Sequence, residues 1–443
     1  MSPQEEFLSM SILELIEKKR DGKELDYQEI KSFVDGVMAK EVDEVQIGAM
    51  LMAITASGFT APEAYYYAKA LAESGEMLNV SSIAENAVDK HSTGGVTDSC
   101  TLVVLPVLAS LGLTIAKYST KNIGASFGTL DRLGVFSGYK PAISMRKFYQ
   151  IIKSVGISII GSNEKILPAD RILYKYREQS GTVPSIPLIA SSIMAKKIAM
   201  GTKTVVLDVK CGEGSLLKNV KQAENLAKLM IEIGSLAGIK TSAIISTLDQ
   251  PLGMTIGPML EVREAIKLLS GESAYLNSDL YKLCSEMVVH ILMETGKAQT
   301  RTIAEEMFDE AIKNGSAKEK LRDMIVAHGG NPKKFDNDEL LIPGVNSFYI
   351  AAEKSGYLFD INLKGLYQAI NIIGAGSDGS INRNVGVELM AREGQHVLKG
   401  DKLAKVYYAL DDPNFASAVM CIRKCFKVEK RRPEKKNVVY KII

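Results

Sequence analysis

The residues best equipped for chemistry gather in one run, VDKHSTGGVTDSCT, from Val88 to Thr101. It follows a predicted strand and leads into a predicted helix, Leu102 to Leu111. Lys90 offers a cation, Ser92 and Thr93 offer hydroxyls, and Gly94 and Gly95 offer unhindered backbone amides. At a strand-to-helix turn such groups hold an anion without a metal. A phosphate pocket is the physical reading, with an ordinary tight turn as its alternative. The lysine precedes the glycines, so this is not a Walker loop. His91 lies inside the run and is one of four histidines. At its ordinary pKa, near 6.5, it could donate or shuttle a proton at neutral pH, or it could be a packed residue.

A second set lies downstream. Tyr174 and Arg177 are three apart and Ser192 and Lys196 four apart, so each pair shares a face if its segment is helical. Converging on one pocket, these donors could hold the carbonyl oxygens and ring nitrogen of a planar polar heterocycle that leaves with negative charge. The plain alternative is two solvated helix faces. Gly374-Ala375-Gly376-Ser377-Asp378-Gly379 is not a dinucleotide fingerprint, because it follows helical texture and leads toward strands.

These groups need a scaffold. Residues 1–76 read as helices, with capping-box spacing at Asp26/Glu29 and Thr60/Glu63. From Ala87 the texture becomes alternating strands and helices. Runs at Leu113–Tyr118, Ile157–Ile160, Thr204–Lys210 and Thr241–Ser246 predict a helix-covered α/β sheet with a central mixed sheet. Pro168–Met200 returns to helix, interrupted by Gly181 and Pro184. It is expected to pack with the first helices and make a discontinuous helical lobe. The expected division is 1–76 with 165–200, then 80–160 with 203–345, then a C-terminal α+β section, 346–443.

That last section contains VGVELMAREGQHVLKGDKLAKVYY, which resembles the barrel of biotinyl and lipoyl carriers. No modifiable lysine stands at the required tip, so it reads as a structural module. From Arg423 to Lys441 nine basic residues face Glu429 and Glu434. Two alternating segments, Cys425–Glu429 and Asn437–Ile442, make a hairpin with a solvated basic tip the expectation. No aromatic stands among the tip charges as a stacking platform for nucleic acid.

The 443 residues give a prior of about three domains. With 46% hydrophobic and 24% charged residues and a formal charge of +2, neither a disordered tail nor a polyelectrolyte binder fits. No apolar run reaches the roughly 18 residues of a membrane span. The first residues, with Glu5 and Glu6, do not read as a signal peptide. A cytoplasmic protein with free thiols at its five cysteines is expected.

Six segments, DKHSTGGV, GTLDRL, ADRILYKYR, SIPLIASSIMAKKIA, LDVKCGEGSLLK and QPLGMTIGPMLEVREA, are similar in order and spacing to the pyrimidine-nucleoside and thymidine phosphorylases. The similarity extends to LIEKKRDGKEL near the start and to the C-terminal section. It implies a homodimer that performs reversible phosphorolysis of pyrimidine nucleosides without an organic cofactor, one lobe binding nucleoside and the other phosphate, with closure of the cleft between them. By position it assigns Lys90, Ser92, Thr101, Lys117, Ser119 and Thr129 to phosphate. Tyr174, Arg177, Ser192 and Lys196 fall to the nucleoside, and His91 to the departing base at its 2-oxygen. Lys117 implies uridine beside thymidine and deoxyuridine. A structural potassium ion is implied at Thr97, Ser99, Leu252, Thr255 and Glu264, although Thr97 stands where the family usually has glycine.

The chain departs from the family pattern at Ser119-Thr120-Lys121-Asn122-Ile123-Gly124-Ala125-Ser126-Phe127-Gly128-Thr129. Three glycines, an arginine and a histidine of that pattern are replaced. Gly134 and Pro184 stand where acids are usual. Two alternatives follow: a non-catalytic or specificity-shifted nucleoside-binding relative with a remodelled phosphate loop, or an enzyme like anthranilate phosphoribosyltransferase. The latter would need an acidic magnesium motif and its own glycine-rich diphosphate loop, and neither is evident.

Overall fold

Four helices open the chain, α1 (Ile12–Arg20), α2 (Tyr27–Ala39), α3 (Glu44–Ser57) and α4 (Ala61–Glu73), and each starts on a capping box. The boxes at Asp26/Glu29 and Thr60/Glu63 match expectation; those at Ser11/Glu14 and Asp43/Gln46 add to them. Glu63 does more than cap α4. Its carboxylate accepts from the buried Lys19 ammonium at 2.7 Å and from the Leu25 amide at 3.0 Å, tying α1 to α4. Removing either member of such a buried pair costs about 3–5 kcal/mol, because the other charge is left alone.

The structure is a computed structural model that describes residues 10–85, 87–121, 127–161, 164–343, 346–374, 382–408 and 415–443. After α4 come β1 (Ala87–Ser92), α5 (Thr101–Ser110), β2 (Thr114–Ser119), α6 (Thr129–Leu133), α7 (Met145–Val155) and β3 (Ile157–Gly161). Helices α8 (Pro168–Ser180) and α9 (Ile186–Met200) follow. Next are β4 (Thr204–Cys211), α10 (Val220–Leu236), β5 (Lys240–Thr247), the two-residue β6 (Thr255–Ile256) and α11 (Pro258–Leu269). Then come α12 (Asp279–Glu294), α13 (Arg301–Lys313) and α14 (Ser316–Ala327). The glycines at 112, 156, 181 and 238 all have positive φ, where a side chain would be strained, and each stands just after a helix.

Six strands form the central sheet in the order β13-β5-β4-β1-β2-β3, with β13 at Val439–Ile442. It is mixed: β1 to β5 pair in parallel, and β13 runs antiparallel to β5. Alternate residues feed two cores. Val88, Ile115, Ile157 and Val206 join α5 and α11 to α14 on one face; Ala87, Ala116, Ile160 and Val205 join α4, α9 and α10 on the other. Helix α9 is the seam. It packs on α4, α10 and β2, and the Ser191 hydroxyl donates to the Ala64 carbonyl at 2.9 Å.

A third core belongs to the C-terminal section. Its strands are β7 (Asn346–Ala351), β8 (Gly356–Ile361), β9 (Gly386–Leu389), β10 (His396–Val397), β11 (Lys402–Tyr408) and β12 (Phe426–Glu429), with helices at Leu363–Gly374 and Phe415–Lys424. They form two small antiparallel sheets, β6-β9-β11-β7 and β10-β8-β12. Because β6 comes from the α/β part, the section is stitched to it.

Two expectations need correction. The basic stretch is not a hairpin: β12 pairs with β8 in the small sheet, whereas β13 crosses to β5. Alternation identifies a strand but not its partner, and no two-residue turn signal ties these two together. The chemistry-rich run does not follow its strand either, since Val88 to Ser92 are themselves most of β1. The residues Ala375–Gly379 of the glycine-rich segment and Asn122–Ser126 of the altered loop lie outside the described residues.

Candidate functional site

The sheet order turns back between β1 and β4, and in open α/β sheets ligands gather beyond the carboxyl ends of strands near such a switch point. A cavity of about 320 Å³ lies there, lined by the ends of β1 and β2 and by α8 and α9. It brings together His91, Ser92, Thr101, Lys117, Ser119, Thr129, Tyr174, Arg177, Ser192 and Lys196. Residues far apart in sequence, Ser92 and Lys117 on one side and Arg177 on the other, thus meet because α8 and α9 return over the sheet.

Lys90 is the exception. It is fully buried, does not line the cavity, and faces the Asp208 carboxylate at 2.9 Å. Successive strand residues point to opposite faces, so if His91 faces α9, Lys90 faces the other way. Lys210 shares Asp208 at 2.8 Å, and the Ser246 hydroxyl donates to the same carboxylate at 2.7 Å. Asp98, Cys100 and Asp208 have ligand atoms close enough for a metal. Two lysines already compensate those acids, Lys210 also standing 3.8 Å from Asp98.

On the sheet side, the Ser92 hydroxyl donates to Asp98 and accepts from the Gly94 amide at 3.1 Å. The Thr93 hydroxyl accepts from the Lys210 amide at 2.9 Å. Gly95 has no room for a side chain: a Cβ would stand 2.0 Å from a Leu248 methyl. Asp89 is shared by two lysines, Lys197 and, at 3.3 Å, Lys117. Burial first, then the charges of Lys197, Lys117, Lys196 and Lys90, hold the His91 imidazole well below its ordinary value. This corrects the expectation of an ordinary histidine: the ring is neutral at pH 7, and its buried Nδ1 has no partner among the described residues.

On the helix side, the Lys196 ammonium donates to Asp170 at 2.8 Å, and to the Ser192 carbonyl and hydroxyl at 2.8 and 3.0 Å. Arg177 donates to the Val183 carbonyl at 2.8 Å and lies over the Tyr174 ring at 5.1 Å. Its buried Nε has no partner among the described residues. Both pairs therefore share faces, and the faces are turned inward rather than solvated.

The altered loop is anchored at both described ends. The Leu130 amide donates to the Thr120 carbonyl at 3.3 Å, and the Gly128 amide to Asp131 at 2.9 Å. Phe127 is buried edge-on against Tyr367, 5.2 Å between centroids, so the bulky residue fills a seam with the C-terminal section. Gly134 lies under the Arg383 guanidinium, 2.7 Å from where a Cβ would stand. Pro184 is exposed, and nothing in the structure explains it.

Sequence reasoning missed Asp89, Asp98, Arg132, Asp170 and Lys197. Arg132 lines the cavity, donates to Glu261 and keeps a buried nitrogen without a partner among the described residues. Signals existed: Asp170, Tyr174 and Arg177 have i, i+4, i+7 spacing, and Arg132 lies inside GTLDRL.

The residues implied for potassium converge in part. The Thr97 hydroxyl accepts from the Leu252 amide at 3.1 Å, and Glu264 accepts from the Thr255 hydroxyl at 2.6 Å and the Met254 amide at 2.7 Å. Thr97 adopts φ 66°, which explains the family's glycine. The Ser99 hydroxyl is buried without a partner among the described residues, and burial pushes the Glu264 carboxyl up to about 7. Hard oxygen donors, one of them without a partner among the described residues and one a buried carboxylate with no salt bridge there, fit a monovalent cation.

Residues 84–318 match the glycosyl transferase family a/b domain, and residues 13–75 match the helical bundle domain of the same family. The pyrimidine-nucleoside phosphorylase of Geobacillus stearothermophilus is 38% identical over 401 residues, 90% of this chain and 92% of that protein. Its counterpart from Staphylococcus haemolyticus is 37% identical over the same shares. A crystal structure of anthranilate phosphoribosyltransferase from Thermus thermophilus superimposes with a TM-score of 0.58 at 17% identity, covering 71% of this chain and 99% of that one. That likeness is one of fold alone. With both domains matched and identity sustained over nine-tenths of its length, the chain belongs to the pyrimidine-nucleoside phosphorylase family.

Proposed function

We propose that this enzyme catalyses the reversible phosphorolysis of pyrimidine nucleosides to free base and ribose or deoxyribose 1-phosphate. The observation that carries the reading is one cavity with anion-holding groups on its sheet side and heterocycle-holding donors on its helix side. A phosphate oxygen attacks the anomeric carbon, the bond to the base nitrogen breaks, and its electron pair leaves with the base. Phosphate faces the positive sugar and donors face the negative base, so both developing charges are stabilised.

Ser92, Thr101, Lys117, Ser119 and Thr129 hold phosphate in this reading, and Lys90 contributes its charge from behind the sheet. Tyr174, Arg177, Ser192 and Lys196 hold the nucleoside. His91, neutral, gives an N–H to the 2-oxygen of the leaving base. Closure of the lobes, 1–76 with 165–200 over 80–160 with 203–345 and the attached 346–443, excludes water that would compete as nucleophile. No organic cofactor is needed, because phosphate supplies the nucleophile and the base carries its own electrons away.

Thr97, Ser99, Leu252, Thr255 and Glu264 would hold potassium, which would brace the loop before α5 against α11. A homodimer through the helical lobe is supported by Leu13 of α1 and by Val45 and Met52 of α3, large apolar side chains left exposed. Among the described residues no helix is long and apolar enough to cross a membrane, and the reading keeps the enzyme cytoplasmic, in salvage of nucleosides. Uridine is expected as a substrate beside thymidine and deoxyuridine. The test is to supply each with and without phosphate and measure free base. Folded protein that releases no base in a phosphate-dependent way overturns the proposal.

A further inference from the structure

Lys117 sits at the cavity, buried, and shares its one paired carboxylate with a second buried lysine. Its Nζ donates to the Lys90 carbonyl at 2.6 Å and to Asp89 at 3.3 Å. Those two acceptors satisfy the two hydrogens of a neutral amine; a third N–H exists only on the ammonium. Asp89 is also claimed by Lys197, so one carboxylate serves two lysines.

Asp98 and Asp170 line the same cavity, but among the described residues Asp89 is the carboxylate paired with Lys117. From β1 come Asp89, Lys90 and His91, and from α9 Lys196 and Lys197. Strand β3 and helix α5 contribute no carboxylate, and α7 carries the exposed cations Arg146, Lys147 and Lys153. Burial, then Lys197 and Lys90, only partly offset by Asp89, bring the Lys117 ammonium down to about 7.

We propose that arrival of the phosphate dianion draws a proton from solvent onto the Lys117 amine, so that phosphate binding and proton uptake at that amine are one linked event. The amine lone pair takes the proton, the buffer gives it up, and the new N–H is the one left to meet the anion. The inference rests on the phosphorylase reading for the identity of the anion.

The sign follows from linkage. Binding raises the affinity of Lys117 for its proton, so uptake is absent well below pH 7, where the free amine is already charged, and appears above it. Calorimetric titration of the wild-type enzyme with inorganic phosphate, in buffers of different ionisation enthalpy, counts the protons. Lys117→Arg supplies a permanent charge, and subtracting its count cancels the ionisation of phosphate itself. The expected difference is roughly one proton per phosphate at pH 8 and near zero at pH 6. Lys117→Met provides a second subtraction, with the same expected difference. Phosphate bound by wild type at pH 8 without net uptake overturns the linkage while leaving the phosphorylase reading intact. Uptake equal to wild type in the Arg variant overturns the assignment to Lys117. Failure of phosphate-dependent base release, with proton-linked binding observed, overturns the phosphorylase reading alone.

Discussion

At His91 burial and charge act in the same direction. The ring stands among lysines that outnumber the acids beside it, and its imidazole is held well below the ordinary value. A neutral ring cannot hand over a full proton at the outset, yet it can donate a hydrogen bond that strengthens as charge builds on the leaving base. Negative charge brought by phosphate also lessens the penalty for protonating it. His91→Ala removes that donor without removing any charge. Turnover is expected to fall by roughly 10²–10³-fold, while the phosphate dissociation constant, measured by calorimetry, stays near wild type. Unchanged turnover would show that the role assigned to His91 is wrong. Residue types and spacing singled out His91 and the Tyr174/Arg177 and Ser192/Lys196 pairs but left their surroundings open, and Thr101, Lys117, Ser119 and Thr129 were named only through the family resemblance. Two things were not legible. One was which strand neighbour faces the cavity, and so Lys90 was placed there although it faces Asp208. The other was the acids, Asp89 and Asp170, whose function is to hold a lysine and which look in a sequence like any surface carboxylate.

Elements were legible where local physics decides them. Capping boxes, glycines at positive φ and period-two apolar runs located the first helices and the parallel strands. Partner choice was not, since β12 and β13 look alike in sequence and go to different sheets. The potassium residues show the same limit. They come from the loop before α5, the turn before β6, and α11, three elements that nothing in local pattern relates. Glu264 draws the last two together as a buried carboxylate, and the Ser99 hydroxyl has no partner among the described residues. An ion filling that gap binds only the folded chain and so stabilises it by mass action. Potassium chloride, compared with tetramethylammonium chloride at equal ionic strength, is expected to raise Tm by about 2–5 °C. Glu264→Gln should abolish the increment. If wild type shows no potassium-specific gain, the site does not hold the ion.

For the whole molecule, the placement of α8 and α9 joins the cavity to the helical lobe. They complete the cavity on one side and rest on α3 and α4 on the other, with Tyr176 of α8 donating to Glu44 of α3 at 2.9 Å. A second subunit docked on the helical lobe would therefore brace the wall that carries Arg177 and Lys196. The surface offers a means. Val45 is 81% exposed, Leu13 61% and Met52 46%, and Val45 and Met52 lie seven residues apart on one face of α3. Burying such side chains contributes about 1.5–3 kcal/mol each, and a self-complementary patch is used twice in a two-fold dimer. Val45→Glu would place a carboxylate, and its symmetry mate, in that contact. Light scattering is expected to report twice the chain mass for wild type and a single chain mass for the variant. A monomeric wild type would remove the dimer from the reading, and a variant that stays dimeric would move the interface to another face.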